Sequence, residues 1–199
     1  MTPATGSPQG MSSRHPSLSL EPAATDLWVF AYGSLMWRPG FAHVESVQAH
    51  LAGAHRALCV YSFVHRGTRE RPGLVLGLDR GGSCRGVAYR VAGKDRDPVI
   101  AYLRERELVT SVYHEVWRTI RLEKPGRPKV RALAFVVDRD HEQYAGVLSR
   151  PALLAHVRDG SGQAGANADY VVNTASHIRA LGFSDPVLDW LAEELKRRA

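Results

Sequence analysis

Residues 28–41, W-V-F-A-Y-G-S-L-M-W-R-P-G-F, constrain this chain more than any other stretch. Leu27–Tyr32 is an apolar run with the length and aromatic content of a buried strand. The run breaks at Gly33-Ser34. Glycine there admits positive φ and close approach of another molecule to the backbone. Gly33, Ser34 and Leu35 present successive main-chain N–H groups, which at a strand end can form an anion-holding concavity. Met36-Trp37 is apolar again, and Arg38-Pro39-Gly40 makes a second break. The spacing alone favours a strand, a tight turn and core aromatics; the functional reading is a turn that binds carboxylate or phosphate.

Beyond this stretch the signals up to about Val91 are those of strands and turns. Ala54–Phe63 reads as a strand, and Val44–Leu51 as a strand or a short irregular link. Residues 65–73 form a charged loop rich in breakers. Leu74–Leu78 and Cys84–Val91 read as two strands separated by a turn at Asp79–Ser83. Over Asp97–Thr110 the apolar period becomes helical, through Val99, Ile100, Leu103 and Leu108. Strands return at Tyr113–Leu122 and Val130–Val137, and three helices follow at 151–159, 167–181 and 185–198. Short strands at this spacing predict a small mixed or antiparallel sheet, closed or barrel-like, with flanking helices. The fold class is α+β and not a βαβ repeat. Gly160–Gly165 matches G-x-G-x-x-G, but it follows a helical stretch near the end of the sequence, so a connection between helices is expected and not a dinucleotide site.

Composition narrows the functional classes. At 199 residues the chain suits one domain with a sizeable core, expected over 26–199 behind a flexible tail at 1–25 rich in Pro, Ser, Thr, Ala and Gly. The tail has no apolar run of the secretory kind, and no stretch approaches the ~20 residues of a membrane span. A cytoplasmic location is therefore the default. Cys59 and Cys84 sit in apolar or glycine-rich strand contexts and are expected as buried thiols. There is no C-x-x-C or H-x-x-x-H pair, so no metal site is expected. The +6 charge permits acidic partners without requiring them.

Chemistry points to Tyr102–Tyr113, Y-L-R-E-R-E-L-V-T-S-V-Y. Glu105 and Glu107 are two apart, so on a helix they face different directions. Glu107 adjoins Leu103 and Leu108, where partial burial would raise its pKa and make it a proton carrier near neutrality. Taken together, the motifs resemble those of the γ-glutamylcyclotransferases, and among them the ChaC type that acts on glutathione. The resemblance rests on Tyr32-Gly33-Ser34-Leu35, on Tyr102-Leu103 with Arg106-Glu107, and on Tyr113. Tyr61-Ser62 with His65-Arg66-Gly67 and Pro72-Gly73 look like the family's middle block. Gly162, Gly165, Asn167 and Tyr170 are similar to its last element. The likeness runs from Trp28 to Leu195 in family order. Ser111 departs from a glycine common there, and a glycine-only backbone angle would be strained by serine.

The resemblance implies a γ-glutamylcyclotransferase-like fold and a lyase that cyclises the γ-glutamyl group of glutathione to 5-oxoproline and releases Cys-Gly, without metal or cofactor. Glu107 is the expected catalytic residue. Tyr32, Gly33, Ser34, Leu35 and Tyr113 are the expected substrate-binding residues, although both tyrosines serve equally as hydrogen-bonded core aromatics. Arg38, Arg66 and Arg106 are candidates for the distal carboxylate. The expected partner is a small molecule, and neither nucleic acid nor membrane. Two readings stand beside this one: a cyclotransferase for other γ-glutamyl amino acids or amines, and, from a different class, a basic nucleic-acid-binding module supported by the charge and by Arg66–Arg71.

Overall fold

A computed structural model describes residues 25–197, so the expected tail at 1–25 lies almost wholly outside the described residues. Five strands form a closed barrel in the order β1 (Leu27–Ala31), β3 (Gly73–Val91), β2 (Glu45–Ser62), β4 (Tyr113–Leu122) and β5 (Lys129–Val137). All neighbours are antiparallel except β1 and β5, which close the barrel in parallel through Trp28–Ala132 and Val29–Leu133. Closure leaves the five-stranded sheet without a terminal strand among the described residues. β1 is apolar at nearly every position because four of its five residues are buried within the barrel wall and core.

β2 and β3 are each a single long strand, where the sequence suggested two shorter pieces apiece. They pair from Glu45–Arg90 to Ser62–Gly73, and a register shift at Ala52/Ala54 absorbs the expected breaks. Gly53 has φ +86° and Gly81 and Gly82 have φ +98° and +66°. These glycines accommodate an irregularity that lets the pair continue and bend instead of turning back.

Helix α1 (Arg96–Glu107) carries the chain from β3 to β4 and buries Val99 and Leu103. After β5 come α2 (Arg150–Asp159), a two-stranded hairpin β6 (Ser161–Gly162) and β7 (Gly165–Ala166), then α3 (Asn167–Ala180) and α4 (Pro186–Arg197). α2 begins where Ser149 Oγ accepts the Ala152 N–H and proline occupies the first turn, a good helix start. The helices bury apolar stripes, such as Val171, Ala175 and Ile178 of α3 and Leu188 and Leu191 of α4, in the same core as the barrel. Cys59 and Cys84 are buried free thiols. No helix among the described residues is long and apolar enough to cross a membrane.

Candidate active site

The apolar run of β1 ends at the mouth of a cavity of about 280 Å³. Ser34–Met36 form one 3₁₀ turn there, closed by Met36 N–H to Gly33 O (2.9 Å) and Arg38 N–H to Ser34 O (2.9 Å). The leading N–H groups of such a turn have no acceptor within it. Gly33 has φ −126°, so positive φ is not what glycine supplies here. A Cβ at Gly33 would meet only Leu76 Cδ1, at 3.9 Å, so what glycine supplies is open space beside the cavity. Two supports fix the turn from behind. Tyr89 Oη donates to Met36 O (2.7 Å), and Arg56 donates from Nε to Tyr32 O (2.5 Å) and pairs with Asp185 (3.5 Å).

Glu107 is the last residue of α1 and lines the same cavity as Tyr32, Gly33, Ser34, Leu35 and Tyr113. Its side chain is 20% exposed, whereas Glu105 faces solvent. Burial raises the Glu107 pKa, and the neighbouring Arg106 opposes this only in part. The Arg106 guanidinium is already engaged. It pairs with Glu107 Oε1 through Nε (3.2 Å) and donates to Ser34 Oγ (3.0 Å), Arg38 O (2.7 Å) and Tyr102 Oη (2.9 Å). This one residue therefore ties the end of α1 to the turn after β1. After α1, Ser111 adopts φ +57°, the left-handed angle that disfavours a side chain, on the way into β4.

The third wall is the backbone of β3. Leu76 N–H donates to Tyr170 Oη (3.2 Å), and Leu76 O accepts from Tyr113 Oη (2.8 Å). One turn of α3 earlier, Asn167 accepts from Leu74 N–H (2.7 Å) and donates to Leu74 O (2.8 Å), as a neighbouring strand would. Burial pushes the phenols of Tyr32 and Tyr113 well above their ordinary pKa, with Glu107 adding to the effect, so both remain neutral donors. Tyr113 is thus a hydrogen-bonded aromatic that also lines the cavity.

The glycine motif after α2 docks a loop. Gln163 N–H donates to Val64 O (2.8 Å) and Ala164 N–H to His65 O (2.9 Å), and a Cβ at Gly162 would lie 2.3 Å from Val64 O. Arg66 reaches back across this contact to the carbonyls of Ala164 and Ala166 and lies over the Tyr170 ring. His65, Val75 and Phe135 also line the cavity. His65 lies in the His65-Arg66-Gly67 motif, but no local pattern in the sequence marks Val75, Phe135 or the supporting Arg56.

A barrel closed in this way, with a partly desolvated carboxylate facing a strand-end turn, defines a γ-glutamylcyclotransferase-like protein. The fold matches a crystal structure of the yeast γ-glutamyl cyclotransferase specific to glutathione with TM-score 0.76 at 19% identity, over 86% of this chain and 96% of that one. The chain belongs to the ChaC-like family, whose model matches residues 27–198. It is 33% identical over 189 residues to the Escherichia coli K12 protein named glutathione-specific gamma-glutamylcyclotransferase, covering 95% of this chain and 81% of that protein. It is 31% identical over 183 residues to human glutathione-specific gamma-glutamylcyclotransferase 1, covering 91% and 82%.

Proposed function

We propose that this protein is a lyase that cyclises the γ-glutamyl group of glutathione to 5-oxoproline and releases Cys-Gly. The observation that carries the reading is a single cavity that gathers a partly desolvated carboxylate, a turn whose leading N–H groups have no acceptor within it, and neutral phenols, in a chain whose relatives bear that name. The chemistry needs little else. The α-amine nitrogen of the substrate attacks its own γ-carbonyl carbon, a five-membered lactam closes, and the amide bond to cysteine breaks. No water is consumed. The tethered attack starts with an effective molarity on the order of 10⁵ M or more when well oriented.

Two tasks remain for the protein: to fold the substrate back on itself and to move protons. Glu107, as the carboxylate, takes a proton from the α-ammonium and passes it to the departing cysteine nitrogen; the second proton, shed by the ring nitrogen as it becomes the lactam N–H, takes the same route, and Cys-Gly leaves as its ammonium. The raised pKa of Glu107 brings donor and acceptor closer in strength. The N–H groups of Gly33–Leu35 hold the α-carboxylate or the developing oxyanion. Tyr32 lines the γ-glutamyl end as a neutral donor, and Tyr113, whose O–H is held by Leu76 O, lines it as a neutral acceptor. A cytoplasmic, one-domain protein over 26–199 acting on a small molecule accords with this reading.

The test is incubation of the purified protein with glutathione and quantification of 5-oxoproline and Cys-Gly. Stoichiometric formation of both is expected. Exclusive turnover of γ-glutamylalanine or γ-glutamyl-ε-lysine in parallel reactions would reassign the substrate, and no lactam from any of them would remove the activity.

A further inference from the structure

A second chamber of about 410 Å³ adjoins the first, and Ser34, His65, Val75 and Tyr170 line both. Its far side carries Trp37 and His177, stacked with ring centroids 4.7 Å apart, together with Arg38 and Asn173. No acidic side chain among the described residues lines it. Three arginines were candidates for a distal carboxylate, and the structure separates them. Arg106 is held by Glu107, Ser34, Tyr102 and the Arg38 carbonyl. Arg66 is held by the carbonyls of Ala164 and Ala166 and the face of Tyr170. The Arg38 guanidinium is exposed, lines the chamber, and makes no hydrogen bond or ion pair with another described residue.

The geometry points to the second chamber as the seat of the leaving portion of the substrate, with Arg38 receiving its terminal carboxylate. This rests on the reaction proposed above. If the γ-glutamyl end occupies the cavity with Glu107, the scissile amide lies at the wall that both cavities share. Two extended residues beyond it reach about 7 Å, which carries a terminal carboxylate into the second chamber. There it meets a cation whose planar fork suits two carboxylate oxygens and which gives up no existing partner to bind. The preferred substrates are then γ-glutamyl peptides that end in a free carboxylate, and γ-glutamyl amines that lack one are poor.

The experiment compares glutathione with its glycine ethyl ester, using wild type and Arg38→Gln. Wild type should favour the free acid by roughly tenfold or more in kcat/KM, the scale of one exposed charge-assisted contact. Arg38→Gln should lose that factor on glutathione, chiefly through KM, and no longer distinguish the two peptides. Discrimination that survives intact in the variant overturns the role of Arg38, and equal use of both peptides by wild type overturns carboxylate recognition altogether. A second measurement needs no variant: Cys-Gly should inhibit wild type competitively and several-fold more strongly than Cys-Gly amide, and equal inhibition counts against the chamber. Absence of 5-oxoproline from both peptides is a different failure, which removes the glutathione reading and this proposal with it.

Discussion

Glu107 is subject to two opposing influences, and the stronger one suits a proton carrier. Burial disfavours its charge, Arg106 favours it, and burial prevails. With Glu107 as the proposed base, acting as its ionised carboxylate, the acid limb of the kcat/KM profile should lie above the ordinary glutamate value of about 4.3. A limb at or below that value would remove Glu107 as the base. Glu107→Gln should lower turnover on the order of 10²–10⁴-fold while the circular dichroism spectrum stays unchanged. Gly33→Ala tests the facing wall. A Cβ there meets only Leu76, so the fold should persist, but the methyl group would intrude on the substrate and raise KM. Unchanged KM would show that the substrate does not approach this turn.

At the scale of elements, the cavity is built where two segments, β4 and α3, lend polar groups to β3. Asn167 is fully buried and satisfies both backbone groups of Leu74, so Asn167→Ala leaves a buried donor and acceptor unpaired. A loss of roughly 2–4 kcal/mol in urea unfolding is expected. Less than about 0.5 kcal/mol would mean that water takes over. Ser111→Gly should act in the other direction. It relieves a left-handed serine at φ +57° and should raise stability by up to about 1 kcal/mol, since the relief slightly exceeds the added freedom of the unfolded chain. These segments also show what the sequence reveals. Apolar alternation matches the observed ends of β4, whereas the helical period over Asp97–Thr110 runs three residues past the end of α1 at Glu107. The bends in β2 and β3 were misread because a bulge and a turn use the same glycines, and only cross-strand pairing distinguishes them. Val75, Phe135 and Arg56 were invisible for a similar reason. Their roles come from contacts distant in sequence, and no local pattern encodes those.

Across the whole molecule, two adjoining stretches of the pH scale should reveal two different carboxylates. Asp79 of β3 is 1% exposed and accepts from Arg139 Nε (2.7 Å), Arg80 N–H (2.7 Å) and Tyr144 Oη (3.0 Å). Burial alone would raise its pKa, but these donors together lower it. A lowered folded pKa means stability that is present above the unfolded value of about 3.9 and lost as pH falls through the folded one. Glu107 has the opposite sign. Its ionised form is disfavoured by the fold, so there is no cost below about pH 4.3, and the cost grows as pH rises through the folded pKa. The stability difference between Glu107→Gln and wild type should therefore open in favour of the variant above about pH 4.3 and then level off. Asp79→Asn should be less stable by about 2 kcal/mol at neutral pH, and its deficit should close only below about pH 3.9. The windows adjoin without overlapping, so urea midpoints from pH 3 to 8 separate them. A Gln variant less stable than wild type at neutral pH would show that the ion pair with Arg106 outweighs burial, and Glu107 would then be held by structure and not poised for proton transfer.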